Sequence, residues 1–259
     1  MKVSKDRPIN KVAALPQVEN IVRTVRSIEG LDKDYYKVFA IGFNKTATTS
    51  LYSLFTQLGY EAMDGPHWRK TADWHIHYQF QTFSDGPPED FRYLDKTFPR
   101  SKFILNVRDL REWLDSRIEH VRYRLEDPRY RNRPGAKKLP DVNGVMKWVE
   151  RRDEHHLQVL DYFSSRKDDL LVVNFIKDPL AVEKICDFLR KPLAGVDKPY
   201  NRSTPKNREP GTVLNQEVIE TALDKLGVKA SERDNDIYCP SLRGSGEISV
   251  GHPPTTDGL

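Results

Sequence analysis

Nine residues, Gly42-Phe-Asn-Lys-Thr-Ala-Thr-Thr-Ser50, bring one lysine and four hydroxyl side chains together. Lys45 lies inside the segment between Asn44 and Ala47, and Thr46, Thr48, Thr49 and Ser50 supply the hydroxyls. Such a set suits a phosphate held without metal: backbone N–H groups and hydroxyls cradle the anion, and the ammonium meets charge appearing on a leaving oxygen. The nucleotide-triphosphate loop G-x-x-x-x-G-K-[ST] differs, because its lysine stands directly before the hydroxyl residue at the helix start. Thr48 takes that slot here. No acidic metal partner is evident after a later strand, so Mg-assisted γ-phosphate transfer by a kinase or ATPase ranks lower.

A loop of this kind binds an anion when a strand delivers it and a helix leaves it, aiming N–H groups and a positive dipole end at the ligand. The run KVFAIGF (37–43) reads as that strand, and Leu51, Leu54, Phe55 and Leu58 recur at helical spacing before Gly59. The pattern returns in KFILNV (102–107), followed by Asp109 as a helix cap and by Leu110, Trp113, Leu114 and Ile118. It returns again in LLVVNF (170–175), followed by Asp178, Pro179, Val182, Ile185, Phe188 and Leu189. Strands alternating with helices predict an α/β fold with a mainly parallel sheet flanked by helices, a three-layer sandwich of the P-loop nucleotide-binding type.

Three features of the segments resemble the sulfotransferases that use 3′-phosphoadenosine 5′-phosphosulfate (PAPS). A strand followed by F-N-K-T-A-T-T-S-L is similar to that family's 5′-phosphosulfate loop, roughly P-K-S-G-T-T or N-K-T-G-T-T-S-L. KFILNVRDLREWLDSR resembles its second element, a strand ending in Arg with a Ser eight residues later, here Arg108 and Ser116. LLVVNFIKDPLAVEKICDFLRKPL and the PYN beyond it resemble its later strand and helix, which end in a short Pro-aromatic-Asn segment, so that the similarity covers about residues 36–201. Farther on, SLRGSG (241–246) is loosely similar to an R-K-G segment that covers the 3′-phosphate, which points to Arg243 and Gly244. One departure is Ala47, where the family has Gly. If that position needs a positive φ, alanine costs roughly 1 kcal/mol or more.

The resemblance implies transfer of a sulfuryl group from PAPS to an acceptor hydroxyl, or an amine, leaving adenosine 3′,5′-bisphosphate (PAP) and requiring no metal. Asn44, Lys45, Thr46, Ala47, Thr48, Thr49 and Ser50 would hold the 5′-phosphosulfate, with Arg108 and Ser116 on the 3′-phosphate. The acceptor needs a base. Where the family has a His in T-H-L-P, this chain has TFSDGPP, which offers Asp85. A carboxylate with an ordinary pKa near 3.9 is a weak base unless burial raises it. His67, in MDGPHW, competes, with a reference pKa near 6.5. The alternatives are a P-loop phosphotransferase, which would bind ATP with Mg, and a catalytically silent module that binds PAP without turnover. No motif specifies the acceptor, and small molecules, glycans, lipids and peptides all fit.

Composition bounds the rest. With 259 residues the chain suits one substantial core: an accessory arm over 1–33, carrying an amphipathic helix through Val18, Ile21, Val22, Val25 and Ile28, a domain over 34–244, and a disordered tail over 245–259. The 42 Lys and Arg against 38 Asp and Glu give +4, too mild to imply nucleic acid but suited to a basic pocket for a small anion. No apolar run reaches the roughly 18 residues of a membrane span, and the start lacks a signal-peptide core, so a cytoplasmic protein is expected. Cys186 and Cys239 show neither disulfide nor metal-ligand spacing, and His75, His77, His155 and His156 form no metal motif. The polar stretch 127–141 reads as a mobile surface loop, and 145–163 as a helix. The oligomeric state is left open.

Overall fold

The computed structural model describes residues 37–132, 138–193, 196 and 213–237. The expected N-terminal arm, the PYN segment, Cys239, Arg243, Gly244 and the tail lie outside the described residues. Within them, β1 (Val38–Ala40) occupies the centre of a five-stranded, all-parallel sheet, with β2 (Ala62–Asp64), β3 (Thr82–Ser84), β4 (Lys102–Asn106) and β5 (Leu170–Val173) in the order β2-β3-β1-β4-β5. Val38 pairs in register with both Thr82 and Lys102, and Phe39 with both Phe83 and Phe103. An all-parallel sheet needs cover on both faces, which is why β1 and β4 are almost continuously apolar.

The period-two alternation of side chains divides that cover into two cores. Val38, Ala40 and Ile104 pack against α1 (Thr48–Gln57) and α6 (Ala181–Phe188) through Leu51, Leu54, Phe55, Val182 and Ile185. Phe39, Ile41, Phe83, Phe103 and Leu105 face the other way, onto Trp68, Phe91 and Phe98, and onto Val159 and Phe163 at the end of α5 (Val142–Tyr162). Phe39 stacks on Phe83 at 5.0 Å and on Phe103 at 5.5 Å between ring centroids. Fully burying each such side chain contributes roughly 1.5–3 kcal/mol. The result is an α/β three-layer sandwich. A third cluster lies beyond the carboxyl ends of the strands, where Phe43, Leu110, Trp113 and Leu114 meet Val145, Val149, Ile219 and Leu223. It is built by α3 (Leu110–Glu126), α5 and α7 (Val213–Lys225). α7 has no counterpart among the sequence expectations.

Local signals explain most element ends. Gly59, at φ 84°, stops α1 as expected, with Tyr60 N–H returning to Phe55 O at 3.1 Å. Asp90 caps α2 (Phe91–Thr97) through the N–H groups of Arg92 and Tyr93. Asp141 caps α5 through Gly144 N–H at 2.7 Å, and so starts that helix three residues earlier than the apolar pattern suggests. Two expectations are corrected. Within 127–141, Pro128–Arg131 form a helical turn, α4, because Asp127 caps it and Pro128 favours its first position. Asp109 stands at the N-cap position of α3 but does not cap it. Its buried carboxylate accepts instead from Asn174 Nδ2 at 3.1 Å and from Lys177 Nζ, tying the end of β4 to that of β5. The N–H groups of Leu110 and Arg111 donate to Asn235 O and Arg233 O, both at 3.0 Å. Among the described residues, no helix is long and apolar enough to cross a membrane.

Candidate anion-binding site at the strand ends

From β1 the chain runs through α1 to β2 on one side of the sheet, and from β4 it runs to β5 on the other. The carboxyl ends of β1 and β4 therefore flank a topological switch point, the place where open α/β sheets bind ligands. The segment Ile41–Ala47 leaves β1 there, and Arg108 follows β4 at the same edge. Ile41 N–H still donates to Ile104 O at 2.9 Å, so the two strand exits leave together.

Asn106, at the last position of β4, organises the β1 loop. Its Oδ1 accepts from Gly42 N–H at 3.0 Å, and its Nδ2 donates to Thr46 O at 3.3 Å and to Thr46 Oγ1 at 2.5 Å. Gly42 is required by that approach, since a Cβ on it would lie 2.0 Å from Asn106 O. Thr46 Oγ1 in turn donates to Phe43 O, so this buried hydroxyl shapes the loop from within. Lys45 and Ala47 both have positive φ, 76° and 69°, and Ala47 is the left-handed N-cap of α1 with no side-chain capping bond. The position occupied by Gly in the resembling family thus does need a left-handed backbone, and alanine carries the strain. Alternation of left-handed residues turns successive N–H groups inward. The N–H groups of Ala47, Thr48 and Thr49 donate to no acceptor among the described residues. They are orphan donors at a helix start, the arrangement that receives an anion.

Arg108 joins this loop directly: its Nη1 donates to Lys45 O at 3.1 Å, and its Nε faces Glu112 Oε2 at 3.4 Å. Lys45 is half-buried, Thr49 exposed, and Thr48 and Ser50 largely buried. Ser116 is buried in the turn of α3 that also carries Trp113 and Arg117. Asn44 links three elements. Its O accepts from Trp113 Nε1 at 3.1 Å, its Oδ1 from Arg117 Nη1 at 3.1 Å, and its Nδ2 donates to Asp85 O at 3.4 Å. Arg117 lies over the rings of Trp113 and Trp148, and burial, with Arg151 nearby, lowers its pKa to about 10.

Asp85 follows β3, half-buried and at φ 101°. Burial and the neighbouring Asp64 raise its pKa above the ordinary carboxylate range, opposed by Arg69, Arg124 and a hydrogen bond from Asn44. His67 is exposed, in a 3-10 segment, Pro66–Arg69, after β2, and no hydrogen bond ties it to Asn44, Lys45 or Asp85. The structure thus gathers Asn44, Lys45, Arg108 and Asp85 into one linked set and leaves His67 outside it.

Several contributors escaped the sequence reading. Arg152, 1% exposed, donates to Arg108 O at 2.9 Å and to Asp236 O, and lies over Trp113, fixing the main chain that carries Arg108. His155 Nε2 donates to Ile41 O at 2.8 Å, and burial lowers its pKa to about 4, which keeps the ring neutral. Both come from α5, far along the chain, and no local pattern marks them. Asn106 did have a signal, as an amide side chain near the end of an apolar run, a feature it shares with Asn174. Among the described residues no group of three or more His, Cys, Asp or Glu side chains is placed to hold a metal. Compared with known proteins, the chain matches no family model, and no curated protein is significantly similar to it.

Proposed function

We propose that the protein is a sulfotransferase that moves the sulfuryl group of PAPS to an acceptor hydroxyl. The observation that carries this reading is the uncapped start of α1, with its unpartnered N–H groups, joined through Lys45 O to Arg108 at the switch point. In this reading the loop amides and Lys45 receive the 5′-phosphosulfate, and Arg108 and Ser116 the 3′-phosphate. The acceptor oxygen bonds to sulfur as the bond between sulfur and the 5′-phosphate oxygen breaks. That oxygen keeps the electron pair, its charge offset by Lys45, and the acceptor proton passes to the Asp85 carboxylate. Asp85 is preferred to His67 because its main-chain O accepts from Asn44 Nδ2, which holds the residue beside the loop, and its pKa is raised, which strengthens it as a base.

Calorimetry with PAP against ATP and Mg, followed by turnover assays, tests the reading. PAP should bind and ATP with Mg should not. Preference for ATP would favour the phosphotransferase, and tight PAP binding without turnover the silent module. Lys45→Ala should lose about a hundredfold in rate, and Arg108→Ala should weaken PAP about tenfold more than an analogue lacking the 3′-phosphate. Activity should fall as pH drops through the raised pKa of Asp85, because the carboxylate is the active form, and Asp85→Asn should remove most of the rate. A His67→Ala variant with the larger loss would transfer the role to that residue.

A further inference from the structure

Three guanidinium groups bear on the exit of β3: Arg69 in direct contact with it, Arg117 through Asn44, and Arg124 within electrostatic reach of Asp85. Arg69 projects from the 3-10 segment after β2, and its Nη1 lies against Gly86, where a Cβ would stand 2.8 Å from it. Asn44 Nδ2 is 3.3 Å from the same point. Gly86, at φ 112°, therefore opens the space in which a guanidinium and an amide meet beside Asp85. Arg124 comes from the far end of α3, over the ring of Tyr130 at 5.3 Å. It and Arg69 are both near enough to Asp85 to favour its ionised form.

These cations exceed what the site itself can use. Arg117 is committed to Asn44 Oδ1, but Arg69 makes only a 3.4 Å bond from Nε to its own Pro66 O, and Arg124 makes only its ring contact. Neither has a carboxylate within ion-pair distance among the described residues. Asp64, the other acid nearby, accepts from Ser84 Oγ at 3.3 Å. A neutral acceptor would strip water from these guanidinium groups without replacing its hydrogen bonds, which is costly. An oxyanion would replace them with charge-assisted pairs. It would also need such cations, since it must approach a donor that is already polyanionic.

We infer that the acceptor is itself an anion, with a carboxylate, phosphate or sulfate group beside its reacting hydroxyl, and that Arg69 and Arg124 bind that group. This rests on the sulfuryl-transfer reading of the same strand-end site. The test is calorimetry on the full chain saturated with PAP, using probes paired by charge: 4-hydroxybenzoate against 4-hydroxybenzamide, and glycerol 3-phosphate against glycerol. At least one charged probe should bind about tenfold more tightly than its neutral twin, a preference that should fall below about threefold in an Arg69→Gln/Arg124→Gln variant. Arg124→Gln alone, a change at an exposed helical position, should give part of that loss should the double variant not fold. The idea is overturned if every pair binds within threefold in the wild type, if no charged probe binds, or if the preference survives both substitutions. Failure to bind PAP at the outset counts against sulfuryl transfer instead. The paired titrations on PAP-free protein, with Lys45→Ala controlling for capture by the β1 loop, then decide the arginine site separately.

Discussion

At Ala47 the chain holds a left-handed backbone with a side chain that disfavours it, between Lys45, also at positive φ, and the first turn of α1. Such conformations cost of order 1–2 kcal/mol each and persist where surrounding contacts enforce them, here the grip of Asn106 on Gly42 and Thr46. Replacing Ala47 by Gly should stabilise the protein by about 1 kcal/mol in urea unfolding, because glycine takes this φ without strain and remains acceptable at an N-cap. Unchanged or reduced stability would mean that the loop adopts another backbone in solution. The strain was legible as a condition: the sequence places Ala where a glycine is common, but only coordinates give the sign of φ. Asp85 is similar. Its position after a strand and before Gly86 could be read in advance, whereas its raised pKa arises from burial and then from Asp64, and neither is set by its neighbours in sequence.

Among the elements, α3 does most to assemble the site. One face buries Leu110, Trp113, Leu114 and Ile118 at helical spacing, and that pattern was plain in the sequence. The same helix presents Trp113 Nε1 and Arg117 to Asn44, and its own start is satisfied by carbonyls of Arg233 and Asn235. Those contacts were not legible, because each depends on a loop returning from another part of the chain. Trp113→Phe keeps the aromatic packing but removes the hydrogen bond to Asn44 O. It should cost about 1–2 kcal/mol and weaken PAP binding several-fold. Thermal unfolding paired with PAP titration checks this, and a loss of stability with unaltered PAP affinity would confine Trp113 to packing. α7 shows a different limit: its apolar residues serve α3 and α5, and no adjoining strand announced it.

Considered as a whole molecule, the sheet separates two polar regimes. At the carboxyl ends, Lys45, Arg108 and Asp85 gather around the β1 loop. At the opposite end Lys37 precedes β1 while 1% exposed, its Nζ donating to Phe80 O at 2.7 Å and lying over the rings of Phe83 and Phe98. Burial lowers its pKa to about 7, with Glu61 opposing the shift. The unfolded chain then holds more protons than the folded one between about pH 7 and 10.5, so Lys37 makes stability rise with pH across that window and is a liability below it. Its contribution is a slope of at most about 1.4 kcal/mol per pH unit. Urea unfolding from pH 7 to 10 should show the rise in the wild type and lose it in Lys37→Met; equal slopes would place the ammonium in water. The alternation of strands and helices made the three-layer architecture readable, but Lys37 reads as a polar start to a strand, since burial is a property of the assembled layers.

The dependence of the α3 start on Arg233, Asn235 and Asp236 has a consequence for how the protein is made. All five strands, Lys45 and Arg108 have left the ribosome well before Ala230 is translated. Until residues 233–236 arrive to accept the N–H groups of Leu110 and Arg111 and to engage Arg152, the main chain at Arg108 lacks its final support. The nascent chain therefore acquires its layered body first and a fully braced arginine only once residues 233–236 have emerged, which ties ligand competence to that late segment.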